Sequence, residues 1–334
     1  MPSERMNAVF ILGDANFEKV YGPEEQRDIA ARVTVLAPPY NAKTILEHPE
    51  VLRQADLVFS SWGMALLDET FLAAAPRLKA VFYAAGSVKG FVTEPFWQRQ
   101  ILLCSAWGAN AVPVAEFTLA AILFSLKQAF RLNRDYCASP RASGDRTVPG
   151  VYGTTVGLVS LGMIARLVRE RLRPFDLKVL AYDPFAKPEE AARLGVTLVP
   201  LEVLFRESDV VSLHTPWLKE TEGLITGELL ASMKPGATFV NTARGAVVRE
   251  PEMIEVLQRR PDLFAVLDVT YPEPPVADSP LYSLPNVFLT PHIAGSMDHE
   301  CRRMGRYMIE ELDRFLAGQP LAWQVTREKA ALLA

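Results

Sequence analysis

Short apolar runs alternate along the chain with longer segments in which apolar residues recur every three or four positions. Runs at 8–12, 33–37, 57–60, 80–83 and 101–104 show no polar alternation, the pattern of parallel strands buried on both faces. Between them, 23–31, 43–53, 68–75 and 93–99 start with proline or polar residues and continue at helical spacing. Strand and helix in alternation predict βαβ units and a first doubly wound domain up to about residue 105. The segment 111–134 reads as one long, mostly apolar helix, and 136–152, rich in Pro, Gly, Ser and Arg, as an irregular connection near a domain boundary. The alternation then restarts, with strands at Val156, Leu177, Val210, Thr238, Leu263 and Val287 and helices at Met163, Leu201, Gly227 and Pro251, a six-strand doubly wound set. The final helix, 299–317, has no strand left to pair with in that set. It is expected to return to the first domain, which makes the second an insertion.

One stretch of the second set carries a chemical signature. An apolar run at 156–161, a turn of small residues, helical spacing over 164–172 and a second apolar run at 177–182 lead to Asp183, which follows Gly162 by 21 residues. This is the layout of a dinucleotide-binding unit. N–H groups at a helix N-terminus hold the pyrophosphate, and an acidic side chain after the second strand accepts hydrogen bonds from the adenosine ribose. The glycine pattern departs from Gly-x-Gly-x-x-Gly: the three positions are Ser160, Gly162 and Ala165, so only the glycine that lets the backbone approach the phosphates remains. Gly162, Met163 and Ile164 are the candidate pyrophosphate residues. Asp183 is expected to read the ribose and, by its charge, to favour NAD over NADP.

Composition narrows the classes. With 334 residues, 49% hydrophobic and 22% charged, the chain has globular composition and room for two cores. A formal net charge of -4 without a run of Lys and Arg gives no footprint for nucleic acid, so small-molecule partners are expected. Cys104, Cys137 and Cys301 are far apart and lack Cys-x-x-Cys spacing, as expected of thiols in a reducing cytoplasm. No metal site is expected. The apolar run at the N-terminus is too short for a signal sequence, and 111–126, interrupted by Glu116, is too short for a membrane span.

Five stretches carry a resemblance: GANAVPVAEFTLA (108–120), SDVVSLHTP (208–216), FVNTARGAVV (239–248), LDVTYPEPP (267–275) and NVFLTPHIAGS (286–296). In type and order they resemble the D-isomer-specific 2-hydroxyacid dehydrogenases. That resemblance implies an α/β protein of two doubly wound parallel-sheet domains. A Rossmann-type NAD-binding domain (108–292) would be inserted into a flavodoxin-like substrate domain (1–107 and 293–334). It also implies an active site in the cleft between domains, a homodimer, and cofactor contacts from His214, Thr215, Thr242, Ala243, Arg244, Asp268 and His292. The serine-binding regulatory domain of long phosphoglycerate dehydrogenases is not expected.

Interconverting a 2-oxo acid and a 2-hydroxy acid requires a group that holds the carboxylate and a group that moves a proton at the oxygen. Arg244, in Thr-Ala-Arg-Gly at a strand end, offers a planar fork for a carboxylate. His292, after Thr290-Pro291 at a strand's carboxyl end, is the candidate acid and base among four histidines. Glu273, in Pro-Glu-Pro, matches the family carboxylate that hydrogen-bonds this imidazole and is expected to favour its charged form. The candidate substrate loop of the first domain spans Gly86 and Ser87, where the family offers backbone N–H groups to the carboxylate. Trp62 either faces the substrate or caps the core. An NAD-sensing co-repressor-like protein and a phosphite-type anion dehydrogenase remain alternatives. Glu273 argues against formate-type enzymes, which pair the histidine with Gln.

Overall fold

A computed structural model describes residues 5–139 and 148–332. The chain divides into two compact units, residues 1–110 with 296–334, and residues 111–295.

In the first unit, β1 (Asn7–Ile11), β2 (Thr34–Val35), β3 (Leu57–Ser60), β4 (Ala80–Tyr83) and β5 (Leu102–Ser105) form an all-parallel sheet in the order β2-β1-β3-β4-β5, the flavodoxin-like arrangement. Successive side chains on a strand point to opposite faces, and here both faces are covered. Val9, Ile11, Val58 and Val81 pack with Phe71 and Phe96 on one side, while Ala8, Phe10, Phe59 and Phe82 pack with Val20, Ile29 and the helix Cys301–Leu316 on the other. That double burial is why the strands read as unbroken apolar runs. The helix Cys301–Leu316 buries Cys301, Met304, Met308, Ile309 and Leu312 against this sheet.

The second unit holds a seven-stranded parallel sheet: β6 (Thr155–Val159), β7 (Lys178–Tyr182), β8 (Thr197–Leu198), β9 (Val210–Leu213), β10 (Thr238–Asn241), β11 (Phe264–Leu267) and β12 (Val287–Leu289), ordered β12-β11-β10-β9-β6-β7-β8. Its chain order reverses between β6 and β9, the kind of switch point where open α/β sheets bind ligands. The seventh strand, β8, is a two-residue edge pairing with β7, too short to show as an apolar run. The fold is therefore the expected one, two parallel α/β sheets with the Rossmann-type unit inserted into the flavodoxin-like one.

Three local expectations are corrected. The helix expected over 111–134 is two helices, Trp107–Leu126 and Ala129–Ala138. The break is at Gln128, whose backbone is left-handed (φ 47°) and whose Nε2 donates to the Gly236 carbonyl. The connection expected from 136 is still helical to 138, and 140–147 of it lies outside the described residues. The helix expected over 43–53 splits into a 3-10 turn, Thr44–Glu47, and Pro49–Leu52. Pro49 lacks an N–H and pushes the preceding His48 out of the helical region (φ -121°, ψ 57°). Trp107–Leu126 is long and apolar enough to cross a membrane, but Ala115, Ala121, Ile122 and Leu126 belong to the core of the second unit.

A buried carboxylate ties the C-terminal segment to the first unit. Glu311, fully buried, accepts from the Ala322 and Trp323 N–H groups at 3.1 and 3.0 Å and from Cys104 Sγ at 3.4 Å. Glu311→Ala leaves the Ala322 and Trp323 N–H groups without their charged acceptor and should lower stability by about 2 kcal/mol. Urea unfolding followed by circular dichroism checks this; an unshifted transition would show that the segment is held by its aromatic packing alone.

Candidate active site

Three adjacent parallel strands deliver the candidate catalytic groups to one edge of the second unit. β10 runs into Thr242-Ala243-Arg244, β11 into Asp268 and the loop bearing Glu273, and β12 into Thr290-Pro291-His292. His292 Nδ1 lies 2.5 Å from Glu273 Oε1, and both side chains are about half exposed (48% and 41%). Arg244 is buried enough that desolvation pulls its pKa down, while the charge of Glu273 pushes it up. Arg244 and Glu273 are thus electrostatic neighbours, and the trio is assembled within one unit.

The turn that carries Arg244 is shaped by its own strand. Asn241 Oδ1 accepts from Ala243 N at 3.0 Å and Asn241 Nδ2 donates to the Arg244 carbonyl at 3.2 Å, while the Thr242 and Thr118 hydroxyls meet at 3.0 Å. Gly245 permits the approach of the two loops. A Cβ there would lie 2.0 Å from the Thr270 carbonyl carbon, which no side chain can accommodate. On the other side, Glu250 accepts from Tyr271 N at 2.9 Å, and its pKa is raised by burial. None of Asn241, Thr118, Gly245 and Glu250 is singled out by the sequence, although all but Glu250 lie inside the quoted motifs.

His292 has a left-handed backbone (φ 53°), which costs a non-glycine residue about 1 kcal/mol. Asp268, 1% exposed, holds it there. Its Oδ1 accepts from the Thr290 hydroxyl (2.6 Å) and Ile293 N (2.8 Å), its Oδ2 from Ala294 N (2.9 Å), and its carbonyl from His292 N (3.0 Å). The family resemblance implies a cofactor contact for Asp268; in the structure its carboxylate is occupied in shaping the histidine loop.

At the dinucleotide turn, Gly162 caps the helix Met163–Leu172, and nothing lies within 4 Å of where its Cβ would be. The backbone there is open to a ligand, and Met163 and Ile164 are half-buried beside it. Ser160 occupies the position usually given to glycine and takes the conformation glycine would favour (φ 76°). Asp183 stands at the end of β7, where Oδ2 accepts from Leu161 N (2.7 Å) and the Ser160 hydroxyl (3.4 Å), and Oδ1 from Phe185 N (2.8 Å) and Ala186 N (3.1 Å). After β9, His214 donates to or accepts from the Ser212 hydroxyl at 3.0 Å through Nε2, while its buried Nδ1 and the buried Thr215 hydroxyl have no partner among the described residues. An open helix N-terminus and unpartnered polar atoms at strand ends fit a polar dinucleotide.

In the first unit, Gly86 and Ser87 are half-buried on the loop after β4. Trp62 follows β3, is 36% exposed as a residue, and has its carbonyl held by Gly13 N (2.8 Å) and Asn16 Nδ2 (3.2 Å).

Comparison with known proteins agrees with this architecture. The family model described as D-isomer specific 2-hydroxyacid dehydrogenase, NAD binding domain, matches residues 119–294. The chain is 34% identical over 289 residues to a glyoxylate reductase of Korarchaeum cryptofilum, covering 85% of each protein. It is 35% identical over 253 residues to the D-3-phosphoglycerate dehydrogenase of Mycobacterium leprae, covering 76% of this chain but spanning only about half (48%) of that protein. Among solved structures, D-lactate dehydrogenase of Aquifex aeolicus complexed with NAD and lactic acid superposes with a TM-score of 0.71 at 26% identity, over 93% of this chain and 96% of that one. The chain belongs to the D-isomer-specific 2-hydroxyacid dehydrogenase family. Its second unit carries that family's NAD-binding domain, and NAD is the cofactor.

Burial pushes the His214 pKa down to about 3 from an ordinary value near 6.5, so this imidazole is neutral in the folded protein at neutral pH and unsuited to proton transfer. Between those values the unfolded chain binds a proton that the folded chain does not. Stability contributed by neutral His214 is therefore complete above about pH 6.5 and declines as pH falls toward 3. Melting temperatures measured from pH 7 to 4 should fall more steeply in the wild type than in His214→Gln; parallel curves would refute the assignment.

Proposed function

We propose that this protein is an NAD-dependent oxidoreductase that interconverts a 2-oxo acid and a D-2-hydroxy acid. The observation that carries the reading is the 2.5 Å pairing of His292 Nδ1 with Glu273 Oε1 beside the partly desolvated guanidinium of Arg244. Arg244 holds the substrate carboxylate through two parallel hydrogen bonds and polarises the neighbouring carbonyl; burial strengthens that attraction by excluding competing water. With Nδ1 held by Glu273, His292 turns Nε2 to the reacting oxygen. In reduction Nε2 gives its proton to that oxygen, and in oxidation it takes the hydroxyl proton. Glu273 fixes the ring orientation and balances the imidazolium charge. When bound, the nicotinamide cofactor would supply the hydride acceptor for oxidation of the hydroxy acid and the hydride donor for reduction of the oxo acid.

Gly162, Met163 and Ile164 hold the pyrophosphate, and Asp183 receives the adenosine ribose. Its weakest contact, 3.4 Å from the Ser160 hydroxyl, is the one a ribose hydroxyl would replace. The carboxylate repels a 2′-phosphate and so favours NAD over NADP. His214, Thr215, Thr242, Ala243 and Asp268 complete the cofactor site, Asp268 through the loop it shapes. Gly86, Ser87 and Trp62 belong to the substrate side. The remaining proposals are a homodimer, a cytoplasmic setting and the domain limits 1–107 with 293–334 for substrate and 108–292 for NAD.

A panel of glyoxylate, pyruvate, hydroxypyruvate, phenylpyruvate and phosphohydroxypyruvate, followed by loss of NADH absorbance, tests the reading; turnover of none would overturn it. His292→Ala should lower turnover about 100-fold or more in both directions while NADH still binds. In the wild type, reduction should fade and oxidation gain with rising pH, as a group that donates the proton one way and accepts it the other requires, and wild-type turnover in the variant would remove His292 from the mechanism. Arg244→Lys keeps the charge but loses the fork, so KM should rise and kcat fall together. An unchanged kcat/KM would exclude Arg244 as the carboxylate ligand.

A further inference from the structure

The first unit contains a set of buried serines whose hydroxyls all point at backbone carbonyls. Ser61, fully buried after β3, donates to the Ala84 carbonyl at 2.8 Å. Ser105, fully buried at the end of β5, reaches the carbonyls of both Ala85 and Gly86, at 2.8 and 2.6 Å. In a trans peptide the C=O of one residue and the N–H of the next point in opposite directions. Pinning the Ala85 carbonyl to Ser105 therefore turns the Gly86 N–H away from the core, and pinning the Gly86 carbonyl does the same for Ser87. Among the described residues neither N–H has a hydrogen-bond partner, whereas Ala84 N is used by Ser60 O at 2.8 Å. Gly86 leaves the approach open, since the nearest atom to a Cβ there would be Asn110 Nδ2 at 3.9 Å. Asn110 is itself oriented by Ser296 N, which donates to its Oδ1 at 2.8 Å. Two adjacent N–H groups aimed the same way from a small-residue loop form an anion-binding concavity.

We propose that Ser105 is a positioning residue for substrate: it aims the Gly86 and Ser87 N–H groups at the carboxylate of the 2-oxo acid, an inference that rests on the reaction proposed above. Ser105 does not touch the reacting atoms, so its loss acts on binding. Ser105→Ala should raise KM for the 2-oxo acid about tenfold, the equivalent of one well-placed hydrogen bond, with kcat within about twofold and KM for NADH unchanged. Ser61→Ala is the control, because it loses a comparable buried hydrogen bond without freeing the Gly86 or Ser87 peptides, and its KM should stay at the wild-type value. An unchanged KM in Ser105→Ala, or an equal rise in both variants, overturns the proposal. If the alanine variant does not fold, Ser105→Cys, which keeps a weak donor in a similar volume, should raise KM about threefold, and a wild-type KM there overturns it equally. If the wild type reduces no 2-oxo acid, the functional reading has failed by itself. The role of Ser105 is then decided by the amide signals of Gly86 and Ser87 in 15N-labelled full-length protein titrated with oxamate. Movement in the wild type but not in the Ser105 variant supports it, and no movement in the wild type, or equal movement in both, overturns it.

Discussion

The buried carboxylate of Asp268 is the constraint on which the candidate catalytic edge depends. Its two oxygens accept from one hydroxyl and two backbone N–H groups of the 290–294 segment, and its carbonyl accepts from His292 N. Hydrogen bonds to an ionised acceptor are the stronger kind, and in a buried site they outweigh the roughly 1 kcal/mol cost of placing a histidine in the left-handed region. The imidazole thereby leaves the chain at the one angle that meets Glu273. An unanchored loop would relax toward ordinary dihedrals and carry the ring away from its partner.

The same edge shows how parallel topology gathers groups that lie far apart in sequence. β10, β11 and β12 are neighbours, so the residues after each strand emerge side by side. The absence of a side chain at Gly245 lets the arginine turn close on the Thr270 backbone. Asn241 and Glu250 then fix the two loops from beneath, one through the Ala243 and Arg244 peptides and one through Tyr271 N. The first unit uses the complementary device. Buried serines hold backbone carbonyls rather than carboxylates holding N–H groups, and the outcome is a loop that offers donors.

Two positive-φ residues, Ser160 and His292, sit where this protein meets its proposed ligands. At Ser160 the side chain is not wasted, because its hydroxyl and the Leu161 N–H both reach Asp183 Oδ2. The strand-end acid is thus tied to the phosphate turn it serves, and the departure from glycine in the motif becomes a link between the two halves of the nucleotide unit.

The sequence by itself determined which segments are the central strands and what family the chain joins. Strands buried on both faces are apolar at nearly every position, as at 57–59 and Ala80–Tyr83, and that pattern needs no partner to be read. Arg244, Glu273 and His292 are legible as candidates because each lies in a local motif after a strand. Tertiary structure alone decided what locks them in place. The break at Gln128 answers to the Gly236 carbonyl, the edge strand β8 exists only by pairing with β7, and Asp183, Asp268 and Ser105 find their hydrogen-bond partners up to 26 residues away. Periodicity records which face of an element is buried, because burial selects residue type at every turn. A hydrogen bond depends on where two backbones come to rest, and the choice of donor or acceptor at one position says nothing about which distant atom will meet it.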